Sequence, residues 1–464
     1  MKIVLLSGGS GKRLWPLSND TRSKQFLKLL QTESGQYESM VQRVWGQLTR
    51  AGLSECAYVA TSQSQIEVIK AQLGTRQPII VEPERRDTFP AIALAAAYLH
   101  SVCEAAPDET VVVLPVDPFV EDRFFVQISK LEHMLEITGA DIGLLGVRPT
   151  YPSAKYGYIV PRNSPDGGME YCEAEHFEEK PSEQRAAELI SRGALWNCGV
   201  FAFRLDYMMQ ELRSRGLPVV YEQLNERYAS LTAISFDYEI VERAERVSVL
   251  PYDGSWKDLG TWNTLTEEMG SSRVGKAVLS DDCQAAHVIN ELEIPVAVLG
   301  LSNVIVAASP DGILVADKAA SPRIKEVMRH QEQRPMYEER RWGRYRVLDY
   351  IQYPDGGQVL TKRILISPDC NLSYQYHRKR QEVWTVVAGR GEIVLAGELR
   401  TIERGDVIVV QPNILHSVRA ITDLEMIEVQ TGEELVEEDI VRLELDWHNI
   451  ITKYVVSASR RREA

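Results

Sequence analysis

The 464-residue chain lacks the features that would place it in or across a membrane. No apolar run approaches the roughly 20 residues that a membrane-spanning helix needs. The apolar run at residues 1–6 is too short for a secretory signal, and glycines follow it closely. We therefore expect no membrane partner, and we interpret this run as a first buried strand.

Cysteine, histidine and net positive charge are also scarce. The six cysteines form no CxxC pair, which argues against a zinc ribbon and favours a reducing, cytoplasmic location. Against 52 Lys and Arg stand 66 Asp and Glu, a net charge of −14. This balance argues against non-specific binding of nucleic acid. Phosphate-bearing substrates would need cations concentrated in one cleft.

The first half of the chain alternates short apolar runs with helical patterns. Strands are predicted at 3–6, 57–61, 79–81, 110–114 and 142–146, and helices at 63–73, 90–103 and 123–138. This rhythm indicates an α/β domain with a Rossmann-like, mainly parallel sheet. Such sheets bind ligands beyond the carboxyl ends of their strands.

The pattern changes after about residue 265. Short β-like runs between 274 and 317 leave open a left-handed β-helix of stacked coils, although the repeat is too weak to assert it. From about residue 340 the runs are longer and punctuated by glycine, which is typical of a β-barrel or jelly roll. We predict domains at 1–267, 268–335 and 336–456, followed by a polar tail at 457–464.

A glycine-rich turn follows the first predicted strand. A Walker A loop fails because Lys12 is followed by Arg13 rather than Ser or Thr. The dinucleotide pattern GxGxxG fails because Leu14 stands where its third glycine belongs, although Gly9 and Gly11 match. A wider stretch remains, LSGGSGKRLWPLS at 6–18 with SKQFL at 23–27.

This stretch resembles the signature GGSGTRLWPLS…PKQFL of the mannose-1-phosphate guanylyltransferases. The resemblance implies that Arg13 and Lys24 are catalytic and clamp the phosphates of GTP. Glycines let backbone N–H groups approach a triphosphate, and arginine offers a forked, permanent charge. Lys12 stands where the family has Thr. The implied nucleotide-binding residues of the turn are Leu6, Gly8, Gly9, Ser10, Gly11 and Lys12.

A second stretch, EPERRDTFPAIA at 82–93, resembles the family's EPxxRNTAPAIA. The resemblance implies a nucleotide site at Glu82, Asp87 and Thr88. A carboxylate at Glu82 would accept hydrogen bonds from N1–H and the 2-amino group of guanine. Asp87 replaces the usual Asn and Phe89 the usual Ala. The alternative is a helix N-terminus with capping acids.

Two aspartates are the implied metal ligands. Asp117 ends the run LPVD, which resembles LPADH, and Asp258 lies in WKDLGTW, which resembles WxDxGxW. Two carboxylates, phosphate oxygens and water make a normal Mg²⁺ shell. Either aspartate by itself could instead be a turn or cap residue.

Further motifs resemble the sugar-phosphate half of the family. They are YGYI at 156–159, FEEKP at 177–181, LWNCGVF at 195–201 and SFDY at 235–238. The resemblance implies sugar-phosphate contacts from Gly157, Tyr158, Glu179, Lys180 and Asn197. The implied reaction is in-line attack of a sugar 1-phosphate oxygen on the α-phosphorus, with loss of pyrophosphate. The nucleophile is already anionic, so no general base is needed.

The last third carries a QxHx₄E pattern with a later histidine, formed by Gln375, His377, Glu382 and His416. This resembles the two cupin motifs and implies a divalent transition metal such as Zn²⁺. The alternative is a jelly roll whose buried polar residues bind no metal. The tract also resembles QxHHHRAEHW of the type II bifunctional enzymes, which add mannose-6-phosphate isomerase. Here Arg380 and Glu382 match, but residues 378, 379 and 383 are not histidine.

The resemblance therefore implies an enzyme that makes GDP-mannose from GTP and mannose 1-phosphate, a step in polysaccharide synthesis. Three alternatives stay open: another sugar or nucleotide, an added isomerase, and a non-catalytic sugar-nucleotide sensor. A homo-oligomer is also left open.

Overall fold

A computed structural model describes residues 1–9, 12–162, 170–331 and 333–455. The predicted ligands Ser10 and Gly11, the side chain of Lys12 and the tail at 457–464 lie outside the described parts. None of the helices within those ranges has the length and apolar character needed to cross a membrane.

The N-terminal part is an α/β domain with thirteen strands and nine α-helices in its described residues. Its strands are β1 (Lys2–Leu6), β2 (Leu30–Gln31), β3 (Tyr37–Glu38), β4 (Ala57–Ser62), β5 (Ile79–Glu82), β6 (Thr110–Pro115), β7 (Pro118–Val120), β8 (Ile142–Val147), β9 (Tyr158–Pro161), β10 (Cys172–Glu178), β11 (Leu195–Arg204), β12 (Val247–Tyr252) and β13 (Trp256–Asp258). Its helices are α1 (Met40–Arg50), α2 (Ile66–Leu73), α3 (Thr88–Ser101), α4 (Arg123–Thr138), α5 (Glu183–Ser191), α6 (Leu205–Ser214), α7 (Tyr221–Glu226), α8 (Phe236–Glu239) and α9 (Trp262–Glu268).

The main sheet has nine strands in the order β5-β4-β1-β6-β11-β8-β12-β10-β9. Strands β5, β4, β1 and β6 pair in parallel, as do β8 and β12, whereas β11 runs antiparallel to both of its neighbours β6 and β8. The predicted mixed, mainly parallel sheet is therefore confirmed. Its carboxyl ends collect the residues that follow β1, β4, β5 and β6 along one edge.

Both faces of this sheet are covered, which explains why its central strands are almost continuously apolar. Ile3 and Leu5 pack toward α1 and α4, while Val4 packs toward α3 on the other face. Helix α3 begins at Thr88, two residues before the predicted start, because Asp87 caps it. Pro90 is still tolerated, since the first-turn N–H groups have no helical acceptor.

The middle segment consists of short strands that pair mainly in parallel. They are β14 (Arg273–Gly275), β15 (Ala277–Leu279), β16 (His287–Asn290), β17 (Val296–Val298), β18 (Val304–Ser309) and β19 (Gly312–Asp317), followed by α10 (Ile324–Val327). Strands β14, β16 and β18 form one parallel ladder and β15 and β17 another, so successive coils stack. The predicted handedness of these coils stays a prediction. Leu14, Leu17 and Trp262 pack with Ile289 and Ile305, which ties the segment to the first domain.

The last part is an antiparallel barrel of two sheets, β20-β21-β22-β29-β24-β27 and β26-β25-β28-β23-β30. Its elements are β20 (Tyr337–Arg340), β21 (Gly343–Gln352), β22 (Gln358–Ile366), β23 (Tyr374–His377), β24 (Arg380–Ala388), β25 (Arg390–Leu395), β26 (Glu398–Glu403), β27 (Val407–Val410), β28 (His416–Ala420), β29 (Leu424–Gly432), β30 (Ile440–Glu444) and α11 (Trp447–Tyr454). The predicted cupin-like jelly roll is confirmed.

Strand β24 alternates buried and half-buried side chains, as a strand with one inward face must. Its inward residues are Arg380, Glu382, Trp384 and Val386. The barrel interior is therefore apolar around Trp384 and Val386 but charged at one end. The domain boundaries predicted at 267 and 335 stay predictions.

Candidate active site

A cleft of about 580 Å³ lies at the carboxyl edge of the main sheet. Leu6, Ser62, Glu82 and Pro115, the last residues of four parallel strands, all line it. This is where ligands bind in open α/β sheets. The predicted site residues that line the cleft are Leu6, Gly8, Gly9, Arg13, Lys24, Glu82, Asp87, Thr88, Asp117, Gly157, Glu179, Asn197 and Asp258.

The described part of the glycine-rich turn is held against its surroundings by side chains of the following loop. Ser23 Oγ donates to Gly9 O at 3.0 Å, and Gln25 Nε2 donates to Ser7 O at 3.3 Å. Gly9 has a φ of 124°, a conformation that only glycine adopts without strain. Arg13 is exposed at the cleft and forms no ion pair with the described residues. It is therefore free to meet an anion.

Lys24 lies between the two predicted metal ligands. Its Nζ is 2.5 Å from Asp117 Oδ2 and 3.4 Å from Asp258 Oδ1. Burial lowers the pKa of Lys24, but the charges of Asp117 and Asp258 outweigh it, so the pKa lies above its usual value. The amine is therefore a permanent cation at neutral pH. The two carboxylates, 141 positions apart in the chain, converge on one point.

A short antiparallel ladder brings Asp258 to this point. Strand β13 pairs with β7 so that Asp258 is opposite Pro118, the neighbour of Asp117. A Cβ at residue 260 would lie 3.0 Å from Asp258 Oδ1, so Gly260 leaves room for the carboxylate. The spacing of the WxDxGxW pattern therefore has a steric reason.

Glu82 also lines the cleft and is the last residue of β5, the edge strand of the main sheet. It is 7% exposed, and its Oε2 accepts a hydrogen bond from Tyr228 Oη at 3.0 Å. Burial raises the pKa of Glu82 to about 7, although the Tyr228 hydrogen bond and Arg85 act to lower it. The carboxyl group is thus poised to change charge near neutral pH.

Asp87 and Thr88 line the cleft but also have structural roles. Asp87 Oδ1 accepts the Thr88 N–H at 2.8 Å and caps α3, as the alternative interpretation expected. Thr88 Oγ1 accepts the Phe236 N–H at 2.8 Å. Asp87 therefore stabilises the start of α3, and Thr88 connects that start to the segment at Phe236.

Among the residues predicted to contact a sugar phosphate, Glu179 is nearly buried and its Oε1 pairs with Lys180 Nζ at 2.5 Å. A Cβ at Gly157 would collide with Glu179 Oε2 and with the ring of Phe177. Gly157 therefore admits the Glu179 carboxylate rather than merely letting backbone approach a ligand. The Lys180 side chain is half exposed and does not itself line the cleft.

Asn197 and Asp237 complete this end. Asn197 Nδ2 donates to Asp237 Oδ1 at 2.7 Å, and Asn197 Oδ1 accepts the Gly199 N–H at 3.1 Å. Burial, with the nearby charge of Glu179, raises the pKa of Asp237 to about 7. Two carboxyl groups and an amide thus face one corner of the cleft, a donor and acceptor set suited to hydroxyl groups.

The prediction that Tyr158 touches the sugar needs correction. Its side chain is fully buried, and its hydroxyl donates to Ser153 O at 3.0 Å and accepts the Ser153 N–H at 2.9 Å. All four residues of strand β9 are buried, so the residue next to Gly157 lies in the core. Tyr156 and Trp256, whose ring centroids are 5.2 Å apart, line the cleft instead.

Sequence reasoning also missed cations and an acid of the cleft. Arg85, Arg86 and Lys155 line it but were not predicted as ligands, and neither was Asp237. The motif matches at 82–93 and 235–238 contained signals for Arg86 and Asp237. Nothing in the sequence pattern singled out Lys155.

The barrel contains the second predicted cluster. His377, Glu382 and His416 are each 1% exposed or less, and one ligand atom of each lies within 4.8 Å of the others. His377 Nε2 is 3.1 Å from Glu382 Oε1, and His416 Nε2 is 3.7 Å from Glu382 Oε2. Yet both imidazole Nε2 atoms and Glu382 Oε2 lack a hydrogen-bond partner. Buried atoms left unpaired in this way call for a ligand.

The protonation of this cluster suits a metal. His416 Nδ1 donates to Ile414 O at 2.8 Å, which leaves Nε2 as the lone-pair atom. Burial lowers the pKa of His416 to about 4, so the ring is neutral at neutral pH. Burial acts to raise the pKa of Glu382, but His377, His416 and Arg380 outweigh it and hold the pKa below its usual range.

Gln375, the fourth predicted ligand, pairs with His416 across neighbouring strands. Its Oε1 already accepts a hydrogen bond from Ser373 Oγ at 2.6 Å. The structure thus places Gln375 beside the cluster but gives its carbonyl another partner.

Two family models match the chain. That of the nucleotidyl transferases covers residues 2–272, and that of the mannose-6-phosphate isomerase C-terminal region covers residues 325–445.

Relatives are similar over almost their whole length. The xanthan biosynthesis protein XanB of Xanthomonas campestris pv. campestris (strain B100) is 30% identical over 479 residues, which cover 95% of this chain and 97% of XanB. A mannose-1-phosphate guanylyltransferase of Salmonella muenchen is 29% identical over 479 residues, with coverage of 95% and 97%. A crystal structure described as mannose-1-phosphate geranyltransferase from Thermus thermophilus matches with a TM-score of 0.59 and 32% identity, covering 71% of this chain and 98% of that one.

Proposed function

Since this chain belongs to the type II mannose-1-phosphate guanylyltransferase family, we propose that it forms GDP-mannose and pyrophosphate from GTP and mannose 1-phosphate. It is a nucleotidyltransferase that acts on a nucleoside triphosphate and a sugar 1-phosphate. One observation carries the finer proposal: a single cleft joins a buried carboxyl group, a cationic centre with two carboxylates, and a polar corner.

The triphosphate lies at the glycine-rich turn in this proposal. Gly8 and Gly9 have no Cβ and meet no atom within 4 Å where one would be, so backbone can approach a ligand there. Arg13 and Lys24 then neutralise charge that develops on the phosphates during transfer. Held by two carboxylates, Lys24 is already in place before the substrate binds, which lowers the cost of ordering it.

Asp117 and Asp258 fit Mg²⁺. Their oxygens converge on Lys24 Nζ from two elements, and carboxylates are the ligands that this hard cation takes. When bound, Mg²⁺ would supply positive charge to the phosphate oxygens. Before Mg²⁺ binds, Lys24 keeps the two carboxylates oriented toward the cleft.

Glu82 is the proposed guanine ligand. In its ionised form it would accept hydrogen bonds from both N1–H and the 2-amino group, a pair of donors that adenine, uracil and thymine do not present together. Two strands, β4 and β1, lie between β5, which ends at Glu82, and β6, which precedes Asp117. This spacing separates the base from the phosphates.

The sugar 1-phosphate occupies the other end. Glu179, Asn197 and Asp237 offer acceptors and a donor to sugar hydroxyls. Lys180, which pairs with Glu179, and Lys155, which lines the cleft, are the cations proposed to hold the sugar phosphate. The phosphate oxygen that attacks is already anionic, so positioning and charge neutralisation suffice for in-line transfer.

The test supplies purified protein and Mg²⁺ with each nucleoside triphosphate and a panel of sugar 1-phosphates, while pyrophosphate release is measured. We expect release to be fastest with GTP and mannose 1-phosphate. Absence of release with every pair would favour a non-catalytic sensor, and a preference for UTP or dTTP would remove the role of Glu82.

Asp258→Asn tests the metal role, and Asp253→Asn is its matched control. Asp253 lies in the turn just before β13, is exposed and pairs with Arg148 at 2.5 Å, outside the cleft. Only the first variant should lose turnover.

A second candidate activity belongs to the barrel. The unpaired ligand atoms of His377, Glu382 and His416 support a divalent transition metal there, and Gln375 would need to release Ser373 to join them. Such a metal would polarise a carbonyl or hydroxyl group of a sugar phosphate. We therefore propose mannose-6-phosphate isomerase as a second activity, tested by conversion of fructose 6-phosphate with added metals alongside the metal content of the protein.

We also propose a cytoplasmic location. Its support is that all six cysteines, which lie in the described residues, are unpaired. Relatives named for xanthan and alginate biosynthesis suggest that the sugar nucleotide feeds polysaccharide synthesis. A homo-oligomer stays a prediction.

A further inference from the structure

The loop at residues 19–23, between the glycine-rich turn and Lys24, is held from outside the first domain. Its last two residues are buried. Asn19 Oδ1 accepts hydrogen bonds from the N–H groups of Thr21 and Arg22 at 3.0 Å and 2.8 Å, which makes a tight local turn. From this turn the side chains of Asn19 and Arg22 both reach the middle segment.

Arg22 forms an ion pair with the middle segment. Its two terminal nitrogens donate to the two carboxylate oxygens of Glu291 at 3.0 Å and 2.9 Å, the forked geometry that arginine and a carboxylate prefer. Its guanidinium also lies over the ring of Tyr337, 4.9 Å from the centroid. Burial acts to lower the pKa of Arg22, but the charge of Glu291 outweighs it, so the side chain stays charged. Removal of Glu291 would therefore leave a buried cation without its partner.

Asp311 makes the second contact with the loop. Its Oδ2 accepts a hydrogen bond from Asn19 Nδ2 at 2.8 Å, and its Oδ1 accepts the Met336 N–H at 2.6 Å. Met336 directly precedes β20, the first strand of the barrel. One buried carboxylate therefore connects the loop at 19–23 with the segment that leads into the barrel.

The parallel stacking of the middle segment brings these two carboxylates to one edge. Strands β16 and β18 pair in parallel with Asn290 opposite Ala308, so the residues that follow both strands lie at the same end. Glu291 comes directly after β16, and Asp311 lies in the turn between β18 and β19. The fold of the middle segment therefore decides which acids meet the loop.

The loop is also connected to the phosphate-binding part of the transfer cleft. Ser23 Oγ donates to Gly9 O at 3.0 Å and accepts a hydrogen bond from Gln65 Nε2 at 2.6 Å. The next residue, Lys24, lies between the two carboxylates of the proposed Mg²⁺ site. A displacement of the loop at 19–23 would therefore reach both the glycine-rich turn and the lysine of the cleft.

We propose that Glu291 and Asp311 are positioning residues for nucleotidyl transfer, which fix the loop at 19–23 from the middle segment and thereby hold Gly9 and Lys24 in place. This role rests on the proposed function of the cleft and gives the middle segment a part in it. Neither carboxylate is among the described residues that line the cleft, so both act through the loop. Groups that are ordered before the substrate binds lower the entropic cost of the reaction.

The experiment measures the affinities of GTP and guanosine for the full chain by calorimetry with Mg²⁺, together with kcat and the melting temperature. Glu291→Gln and Asp311→Asn remove the two carboxylates. Arg22→Met removes the ion pair without leaving a buried guanidinium unpaired, in case Glu291→Gln does not fold. Glu293→Gln is the matched control, because Glu293 is an exposed acid two positions from Glu291 and pairs with Lys276 at 2.8 Å.

GTP carries its triphosphate to the glycine-rich turn, whereas guanosine has no phosphate and depends on the proposed base site at Glu82. The three loop variants should therefore weaken GTP binding about fivefold or more and lower kcat about tenfold or more, with guanosine affinity unchanged. Glu293→Gln should match the wild type in all of these. A merely structural defect would lower the binding stoichiometry through loss of folded protein and would not separate GTP from guanosine.

Equal GTP affinity and equal kcat in all five proteins would overturn this inference and leave the proposed function intact. A parallel loss of GTP and guanosine affinity would also overturn it, because the defect would not be specific to the phosphates. Loss of GTP affinity in Glu291→Gln and Arg22→Met but not in Asp311→Asn would remove the role of Asp311. Absence of GTP binding to the wild type would instead mark failure of the proposed function, and the positioning role would fall with it.

Discussion

The charge state of Glu82 should control how well the protein binds guanine near neutral pH. Its pKa is raised to about 7 by burial at the end of β5. Only the ionised carboxylate accepts both guanine donors, so GTP binding must draw on the ionised fraction. As pH falls through 7 that fraction shrinks, and GTP affinity should fall with it.

The size of the effect follows from the titration. With a pKa of about 7, roughly a tenth of the carboxyl groups are ionised at pH 6 and roughly nine tenths at pH 8. GTP affinity should therefore rise about tenfold between these values and level off above them. Glu82→Gln cannot ionise, so it should lose about 1.5–3 kcal/mol, which corresponds to about 10- to 150-fold in kcat/KM for GTP at pH 8.

The assay compares kcat/KM for GTP and for ITP, which lacks the 2-amino group, from pH 6 to pH 8. The wild type should prefer GTP, and Glu82→Gln should lose most of that preference and the pH dependence of its GTP binding. Glu84→Gln is the matched control, because Glu84 is exposed and pairs with Arg86. A flat wild-type profile, with unchanged GTP preference in Glu82→Gln, would refute the reasoning.

Tyr228→Phe provides an independent check of the same charge. It removes the hydrogen bond to Glu82 Oε2, which favours the ionised form, while keeping almost the same buried volume. A hydrogen bond to a charged group contributes about 1 kcal/mol more than one to a neutral group, so the pH profile for GTP should move upward by roughly 0.7 units. A shift to lower pH would contradict the assigned role of the tyrosine.

Three further outcomes are expected. Asp258→Asn should lower turnover at least about 100-fold with an unchanged melting temperature, because the Mg²⁺ that Asp258 would hold stabilises the charge of the transition state. Near-wild-type turnover would remove the metal role. Gly157→Ala should raise KM for the sugar 1-phosphate more than KM for GTP, because the new Cβ displaces the Glu179 carboxylate; an equal rise in both would contradict this. Added Zn²⁺ should raise the melting temperature of the wild type but not of His377→Ala, because a ligand that binds only the folded state stabilises it; an equal rise would place the metal elsewhere.

The glycine-rich turn shows how far local pattern carries. The residues of the turn excluded the Walker A and dinucleotide-binding loops. The sequence also predicted a strand before the turn, and the structure confirms it as β1. The same patterns predicted that β4, β5 and β6 would be strands of a parallel sheet. Because parallel strands share a carboxyl edge, the approximate location of the cleft followed from their order alone.

Tyr158 shows where local pattern fails. A motif match says which residues recur, not which side chains are buried. Strand β9 is buried along its whole length, so this tyrosine lies in the core. Helix α3 likewise began two residues early because Asp87 takes a left-handed φ of 68° and caps it. The role of Asp237 was not predicted, because its partner Asn197 lies 40 positions away and is brought to it only by folding.

The sequence by itself determined the class of the first and last domains and the order of several strands and helices, because periodicity and turn chemistry act over a few residues. Its motif resemblances predicted thirteen of the 28 residues that line the cleft. Only the tertiary structure decided the charges and the distances. It buried Glu82 and Asp237 enough to raise their pKa values, and it placed Lys24 between two distant aspartates. Burial and long-range proximity depend on how the domains pack, which no short stretch of sequence encodes.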